Sequence, residues 1–275
     1  MIPSPDASVA AAVAAPVPNA AAELFSISGK VALVTGGSRG IGKMIASGFV
    51  DAGCKVYIAS RKADVCNAVA AELSERGVCI AIPANLSSEV ECQRLAEEIA
   101  ARECKLDILV NNAGATWTAP YEEFNDAMWD RALSVNVKAV FHLTKFLTPL
   151  LRAAGTAEVP SRVINIGSID ALQVPPIETF SYSASKAAAH QLTRHLAKHL
   201  APTITVNGLL PGPFESQMMA DPRSDVGKAI AASVPLRRIG RPDDVAGTAI
   251  FLASRAGAYL TGALIPVDGG MAGLR

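Results

Sequence analysis

From residue 30 onward, short runs of β-branched and other apolar residues alternate with longer stretches of helical periodicity. This alternation is typical of a parallel sheet, because consecutive parallel strands need a crossover connection that is usually a helix. The predicted strands are 31–34, 55–59, 79–83, 106–110, 162–166, 203–207 and 263–267. The predicted helices are 41–52, 63–76, 89–102, 126–151, 182–200 and 242–253. We therefore predict a doubly wound α/β fold, with helices on both faces of a sheet of about seven strands.

Size and composition exclude several classes of protein. The 275 residues suffice for one buried core, and half of them are apolar. No uninterrupted apolar run reaches the roughly 18 residues of a membrane-spanning helix. The 25 basic residues are balanced by 25 acidic ones. The sequence therefore predicts a single domain with no membrane anchor and no nucleic-acid partner.

The cysteines and histidines do not predict a metal site. The five cysteines contain no C-x-x-C pair and no zinc-type spacing, which favours free thiols in a reducing compartment. His195 and His199 lie four residues apart on a predicted helix, so they could share a metal-binding face. With no H-E-x-x-H motif and no third ligand, a surface or packing role is favoured.

Two segments depart from the regular alternation. Residues 1–23 are rich in Ala and Pro and carry no Lys or Arg, which predicts a mobile tail ahead of a domain at 24–275 and a cytoplasmic protein. A tail that lies on a partner subunit remains an alternative. Residues 211–241 form a long Gly- and Pro-containing interruption, which we interpret as a substrate loop, with an ordinary surface excursion as the alternative.

The first predicted strand is followed by the glycine-rich segment T-G-G-S-R-G-I-G at 35–42. A tight turn into a helix directs backbone N–H groups and the positive end of the helix dipole at one point, which suits a pyrophosphate. Glycine permits both the turn and the close approach of a phosphate. The segment predicts a dinucleotide site formed by Gly36, Ser38, Arg39, Gly40, Ile41 and Gly42.

A second group of residues predicts proton transfer. Tyr182 and Lys186 are four residues apart on a predicted helix, so their side chains share a face. A neighbouring ammonium favours the phenolate and is expected to lower the pKa of Tyr182 from its usual value near 10, and a lowering of about two or three units would bring it near the operating pH. Ser168 follows a predicted strand, at the sheet edge where open parallel sheets bind ligands, and its hydroxyl could hold a substrate carbonyl.

The end of the second predicted strand indicates which nicotinamide is used. An NAD enzyme generally places an acid there against the ribose, whereas an NADP enzyme needs cations. Here the strand is followed by Ser60 and Arg61, and Arg39 projects from the glycine turn. Two guanidinium groups can hold a 2′-phosphate, so we predict NADPH. The alternative is that Arg39 and Arg61 are only solvated, in which case the protein would discriminate weakly between NADPH and NADH.

The order of these motifs resembles that of the short-chain dehydrogenase/reductase family, which has a Rossmann-type fold. The resemblance extends over about residues 29–270, through T-G-x-x-x-G-x-G, N-N-A-G at 111–114, Asn136, Ser168, Y-x-x-x-K at 182–186, P-G at 211–212 and D-G-G at 268–270. It implies a catalytic tetrad of Asn136, Ser168, Tyr182 and Lys186. In this tetrad Lys186 would also bind the nicotinamide ribose, and Asn136 would hold a water of a proton relay.

The resemblance also implies further cofactor contacts and an assembly. The contacts would come from Asn85, Leu86, Asn112, Ala113, Gly114, Tyr182, Lys186, Pro211 and Gly212. Asn85 departs from the family, in which an Asp commonly meets the adenine. An amide both donates and accepts hydrogen bonds, so we expect adenine binding to survive. A homotetramer or homodimer is implied by the family alone.

The substrate is predicted less directly, because loops rather than the catalytic residues decide what is reduced. Candidate pocket residues are Trp117, Ile169, Ala171, Gln173, Pro175, Thr179, Phe214 and Met218. Within the family the chain looks most like 3-oxoacyl-[acyl-carrier-protein] reductases, including the kind linked to rhamnolipid synthesis. Arg237 and Arg238 could guide a phosphopantetheine carrier or equally form a subunit contact.

Three functions follow as hypotheses. The first is NADPH-dependent reduction of a ketone or 3-oxoacyl thioester, with Tyr182 as proton donor. The second is a general secondary-alcohol dehydrogenase or ketone reductase that uses the same residues. The third is a non-catalytic NADP-binding sensor, against which the intact Ser168, Tyr182 and Lys186 argue.

Overall fold

The computed structural model describes residues 20–215, 221 and 223–273. Within these residues the strands are β1 Val31–Thr35, β2 Lys55–Ser60, β3 Val78–Pro83, β4 Ile108–Asn111, β5 Ser161–Ile166, β6 Ile204–Pro211 and β7 Leu264–Val267. The α-helices are α1 Ala20–Phe25, α2 Gly40–Asp51, α3 Ala63–Ser74, α4 Glu89–Ala100, α5 Asp126–Leu133, α6 Ala139–Ala154, α7 Phe180–Leu200, α8 Asp225–Ser233 and α9 Pro242–Ala253.

The strands form one parallel sheet in the order β3-β2-β1-β4-β5-β6-β7. The predicted doubly wound fold and all seven predicted strands are thereby confirmed in the described residues. The strand order reverses between β1 and β4, and open α/β sheets bind ligands in the crevice at such a switch point. The carboxyl ends of β1, β4 and β5 therefore mark where a site is expected.

Two hydrophobic clusters sandwich the sheet. The first packs α2, α3 and α9 on one face, around residues such as Ile45, Phe49 and Leu252. The second packs α4, α6 and α7 on the other face. In α4 the buried Cys92, Leu95, Ala96 and Ile99 recur at helical spacing, which explains why this polar sequence forms a helix against the core.

One predicted helix is wrong as a continuous element. The stretch 126–151 is divided into α5 and α6 by a π-helical turn, Ser134–Lys138. The hydrophobic periodicity does not reveal this turn, because π turns insert one residue without ending the helix. The turn contains Asn136, which was predicted as a site residue.

The two irregular segments lie partly outside the described residues. Residues 1–19 of the predicted tail are not described, and the last four residues of that tail begin α1. Within 211–241, residues 216–220 and 222 are not described, and α8 occupies part of the remainder. Among the described helices, none is long and apolar enough to span a membrane.

Candidate active site

The glycine turn after β1 enters α2 in the way the sequence predicts. Gly36 has a positive φ of 65°, a conformation that L-residues with a Cβ rarely adopt. A Cβ at Gly42 would lie 2.3 Å from the Gly36 carbonyl oxygen, so only glycine fits there. These two glycines let the first turn of α2 pack directly against the end of β1.

The end of β4 is bonded to this glycine turn. The Thr35 hydroxyl accepts hydrogen bonds from the backbone N–H groups of Asn112, at 2.9 Å, and Ala113, at 3.0 Å. The Asn112 side chain donates to the Thr35 carbonyl oxygen at 2.8 Å. The structure thus brings Asn112, Ala113 and the glycine turn together at the switch point, as predicted for the cofactor site.

The adenosine end of the predicted cofactor site lies at the end of β2. The Ser60 hydroxyl is buried and has no hydrogen-bond partner, while Arg61, the next residue, and Arg39, in the glycine turn, are exposed. Asn85 and Leu86 follow β3, whose last residue pairs with Ser60. A buried hydroxyl without a partner, followed in the chain by an exposed arginine, fits the 2′-phosphate of NADP.

Pro211 and Gly212 lie farther along the sheet, at the end of β6. The Gly212 N–H donates to the Val267 carbonyl oxygen at 3.0 Å, and a Cβ on Gly212 would lie 2.8 Å from Asp268. This pair is separated from the β1–β4 crevice by β5. A ligand that touches both must extend across the end of β5.

Tyr182 and Lys186 lie on the first turns of α7, on one face. Lys186 Nζ is 5.7 Å from the centre of the Tyr182 ring and donates to the Ile166 carbonyl oxygen at 2.7 Å. A Cβ added at Gly114 would lie 3.8 Å from Lys186 Nζ and 3.4 Å from Asn136 Oδ1. The end of β4, the π turn and α7 therefore meet around the Lys186 ammonium.

Ser168 follows β5 and meets the phenol of Tyr182. Its hydroxyl accepts a hydrogen bond from the Asp170 N–H at 3.1 Å and is also hydrogen-bonded to the Tyr182 hydroxyl. Since Asp170 N–H already donates to the Ser168 oxygen, the serine proton is free to point into the cleft or at the phenol. Two hydroxyl groups thus lie side by side at the carboxyl end of the sheet.

The expected lowering of the pKa of Tyr182 is wrong for this structure. The pKa of Tyr182 is raised to about 12, chiefly by burial and to a smaller extent by the Asp170 carboxylate, while the hydrogen bond from Ser168 opposes the rise. Burial also lowers the pKa of Lys186 to about 8. The loss of water around both groups disfavours both charged forms, and the spacing of Tyr182 and Lys186 along the chain does not reveal it.

Asn136 lies in the π turn, and its side chain makes three hydrogen bonds to residues outside that turn. Its Oδ1 accepts from the Ala115 N–H at 2.8 Å, and its Nδ2 donates to the Ala115 carbonyl oxygen at 2.9 Å and to the Ser185 hydroxyl at 2.8 Å. Because Ser185 donates to the Tyr182 carbonyl oxygen, Asn136 joins the loop after β4 to the first turn of α7.

The predicted substrate residues differ in burial and do not all lie in one described part of the structure. Trp117 is partly exposed and lies beside Arg131, whereas Ile169 and Thr179 are buried. Ala171, Gln173 and Pro175 are half-buried on the segment between Ser168 and α7. Met218 lies outside the described residues.

Phe214 differs most from its predicted place. It is buried in the core, and a Cβ on Gly240 would lie 2.3 Å from its ring. It also lines a cavity of about 520 Å³ beside β7, and Ser168, Tyr182 and Lys186 are not among the described residues of that lining. The sequence placed it by its position after Pro211, without information on the packing that draws the ring inward.

Sequence reasoning missed His190 and Asp170. The imidazole of His190 accepts a hydrogen bond from the Ser168 N–H, and Asp170 contacts the serine hydroxyl through its own N–H. His190 follows Lys186 by four residues, so the same helical spacing that paired Tyr182 with Lys186 could have found it. No group of His, Cys, Asp or Glu side chains in the described part of the chain could hold a metal ion.

Comparisons with known proteins agree with this geometry. A family model described as enoyl-(acyl carrier protein) reductase matches residues 36–272. The chain is 48% identical over 249 residues to a rhamnolipids biosynthesis 3-oxoacyl-[acyl-carrier-protein] reductase of Pseudomonas aeruginosa, covering 90% of this chain and 97% of that protein. It is 34% identical over 251 residues to the 3-oxoacyl-[acyl-carrier-protein] reductase FabG of Aquifex aeolicus, covering 90% and 99%.

A solved structure is similar in three dimensions as well. The Pseudomonas aeruginosa RhlG/NADP active-site complex superposes with a TM-score of 0.87 at 47% sequence identity. The match covers 91% of this chain and 99% of that one.

Proposed function

Because the chain belongs to the short-chain dehydrogenase/reductase family, we propose that it catalyses the NADPH-dependent reduction of a ketone to a secondary alcohol. The substrate class that we propose is a 3-oxoacyl thioester. The observation that carries the proposal is the hydrogen-bonded pair of hydroxyl groups of Ser168 and Tyr182, with Lys186 on the same face of α7.

The choice of NADPH rests on the end of β2. The buried Ser60 hydroxyl, which lacks a partner, and the exposed Arg61 would hold the 2′-phosphate, and the glycine turn before α2 would hold the pyrophosphate. When bound, NADPH would supply the hydride for the carbonyl carbon. The name of a similar solved structure, an NADP complex, supports the same choice.

In this proposal Ser168 and Tyr182 bind and protonate the carbonyl oxygen of the substrate. The Ser168 hydroxyl donates a hydrogen bond to the carbonyl oxygen and orients it, and the Tyr182 phenol gives it a proton. A phenol whose pKa is raised to about 12 is fully protonated at neutral pH, which is the state required for reduction. The Lys186 ammonium, next to the ring, stabilises the phenolate that remains.

The 3-oxoacyl thioester is supported by the names of two similar proteins, both described as 3-oxoacyl-[acyl-carrier-protein] reductases. The paired hydroxyl groups favour reduction of a carbonyl group, because they can bind its oxygen, over reduction of the carbon–carbon double bond of an enoyl group, the substrate that the family description implies. Arg238 contributes less to carrier recognition than its sequence position suggests, because both of its terminal nitrogens bond the Asp244 carboxylate.

The proposed setting is the cytoplasm, and the proposed assembly is a homotetramer or homodimer. All five cysteines are free thiols, four of them buried, which suits a reducing compartment.

The half-exposed ring of Phe141 on α6 offers apolar surface for a second copy of the chain in the proposed assembly. Light scattering on the purified protein measures the assembly, and a monomer at micromolar concentration would refute it.

A substrate panel tests the proposed reaction. Purified protein is mixed with NADPH and either an acetoacetyl thioester, a simple ketone or a crotonyl thioester, and the absorbance of the reduced nicotinamide is followed. We expect turnover with the acetoacetyl thioester, slower turnover with the ketone, and none with the crotonyl thioester. Reaction of the crotonyl thioester alone, or of no substrate, would refute the proposal.

A further inference from the structure

We propose that His190 is a positioning residue that fixes Ser168 against Tyr182, by accepting the backbone N–H of Ser168 on its Nε2 atom. This inference rests on the proposed function, because Ser168 matters only if it orients a carbonyl oxygen. It assigns His190 a role that follows from its contacts and not from the motifs that identified the other site residues.

The position of His190 on α7 makes the contact possible. Tyr182, Lys186 and His190 are separated by four residues each, so their side chains follow one another along a single face of the helix. His190 is buried, and its Nε2 lies 3.4 Å from the Ser168 nitrogen. The helix that carries the phenol and the ammonium therefore also holds the backbone of the serine.

Gly167 shows how closely the ring is seated. A Cβ added at Gly167 would lie 2.3 Å from His190 Nε2 and 2.8 Å from the neighbouring ring carbon, so any larger residue would displace the imidazole. The Gly167 N–H donates to the Leu209 carbonyl oxygen at 2.8 Å, and this hydrogen bond holds the Gly167 backbone against β6. The imidazole therefore rests on a backbone segment that the sheet already holds in place.

Burial and two nearby cations keep the imidazole of His190 neutral, so that one of its nitrogens can accept a hydrogen bond. Burial, together with the nearby cations Lys186 and Arg194, lowers the pKa of His190 to about 4. A neutral imidazole has one nitrogen that accepts and one that donates, and the Ser168 N–H requires that Nε2 be the acceptor. The tautomer with its proton on Nδ1 is thus the one that the site needs.

The consequence for catalysis is geometric. The Ser168 hydroxyl is held at its oxygen by the Asp170 N–H, and the Ser168 backbone is held by His190. Without the second bond, the Ser168 N–H loses its partner, and the serine is held only through its hydroxyl and through its carbonyl oxygen, which accepts from the Ala171 N–H. Displacements of about 1 Å at a reacting group cost on the order of 100-fold in rate, so we expect a loss of roughly 10- to 100-fold in kcat.

The kinetic test compares three variants on the full chain. His190→Leu removes the acceptor, whereas His190→Gln places an amide oxygen within reach of the Ser168 N–H. The matched control is His195→Leu, at an exposed position on the same helix. With an acetoacetyl thioester, we expect kcat to fall 10- to 100-fold in His190→Leu, to recover at least partly in His190→Gln, and to stay unchanged in the control. NADPH affinity, measured by fluorescence titration, should change less than twofold throughout.

A second test uses the unsubstituted protein, so its result depends neither on whether the variants fold nor on whether the protein is active. Long-range ¹H–¹⁵N correlation NMR of the imidazoles reports the tautomer of His190, for which we expect the proton on Nδ1 and an unprotonated Nε2 at pH 7. A proton on Nε2 would overturn the inference, as would His190→Leu with wild-type kcat or His190→Gln no better than His190→Leu. If no ketone is reduced by any form, the proposed function fails, and the NMR result still decides the contact.

Discussion

Lys186 Nζ lies over the ring of Tyr182, 5.7 Å from its centre, and donates its hydrogen bond to the Ile166 carbonyl oxygen rather than to the phenol. The ammonium thus faces the aromatic ring and is hydrogen-bonded to the backbone at the end of β5. Burial dominates both groups, because it raises the pKa of Tyr182 and lowers that of Lys186. The resting site therefore holds a neutral phenol, which is ready to give a proton.

The pH dependence of reduction should follow Lys186 rather than Tyr182. Since the pKa of Lys186 is lowered to about 8, its ammonium is lost as the pH rises through that value, while Tyr182 keeps its proton until about pH 12. We expect kcat/KM for ketone reduction to decline on an alkaline limb near pH 8. A limb at pH 10 or above, measured from pH 6 to 10.5, would contradict this assignment.

Lys186→Met should stabilise the protein while abolishing activity. A fall in the pKa of Lys186 from 10.5 to about 8 means that the charged lysine costs the folded state about 3 kcal/mol at pH 7. The lost hydrogen bond to Ile166 offsets about 1 kcal/mol of this. We expect urea unfolding at pH 7 to give a free energy about 1–2 kcal/mol higher than for the wild type.

The sign of this effect depends on pH. Between about pH 8 and 10.5 the unfolded chain binds the lysine proton more tightly than the folded chain, so wild-type stability rises with pH in that window. The advantage of Lys186→Met should therefore shrink between pH 8 and pH 10. An advantage that is constant over this range, or a variant less stable than the wild type at pH 7, would show that burial of the charge is not costly.

Cofactor preference should depend on the end of β2. Ser60→Asp places a carboxylate where the 2′-phosphate is expected, and Arg61→Ala removes a cation, so each should raise the KM for NADPH by at least about 10-fold. The KM for NADH should fall or stay constant. Lys62→Ala, which removes the next exposed cation, is the control. Equal effects of Arg61→Ala and Lys62→Ala would indicate that Arg61 is merely solvated.

Asn136 should contribute to stability as well as to the site. Asn136→Ala removes three hydrogen bonds and leaves the N–H and carbonyl oxygen of Ala115 without these partners, which costs about 2–3 kcal/mol. Asn125→Ala, at an exposed helix cap whose side chain makes no capping bond, should cost less than about 0.5 kcal/mol. Urea unfolding of both variants compares them directly, and equal losses would contradict the role of the π turn.

Much of the fold and of the site could be predicted from local pattern. The strands, the glycine turn and the shared face of Tyr182 and Lys186 follow from local pattern, because strands buried on both faces give short continuous apolar runs and helices impose a period of 3.6 residues. The predicted cofactor residues Asn112 and Ala113 also meet the glycine turn in the structure.

The features that escaped prediction depend on contacts between distant segments. The π turn at Ser134–Lys138 forms where Asn136 reaches Ala115 and Ser185, and Phe214 is drawn into the core by its contact with Gly240. The pKa of Tyr182 is set by burial, which no local spacing reveals. The contact of His190 with Ser168 joins residues 22 positions apart and needs a folded sheet to exist.

The comparison of Tyr182→Phe with the wild type tests the central claim most directly. Both proteins are titrated with NADPH by fluorescence, and both are assayed for loss of the reduced nicotinamide absorbance with an acetoacetyl thioester. Removal of the phenol hydroxyl takes away the proton donor and leaves the ring in place, so we expect kcat to fall by at least about 100-fold with NADPH affinity within about twofold. Turnover by Tyr182→Phe within tenfold of the wild type would contradict the assignment of Tyr182 as the proton donor.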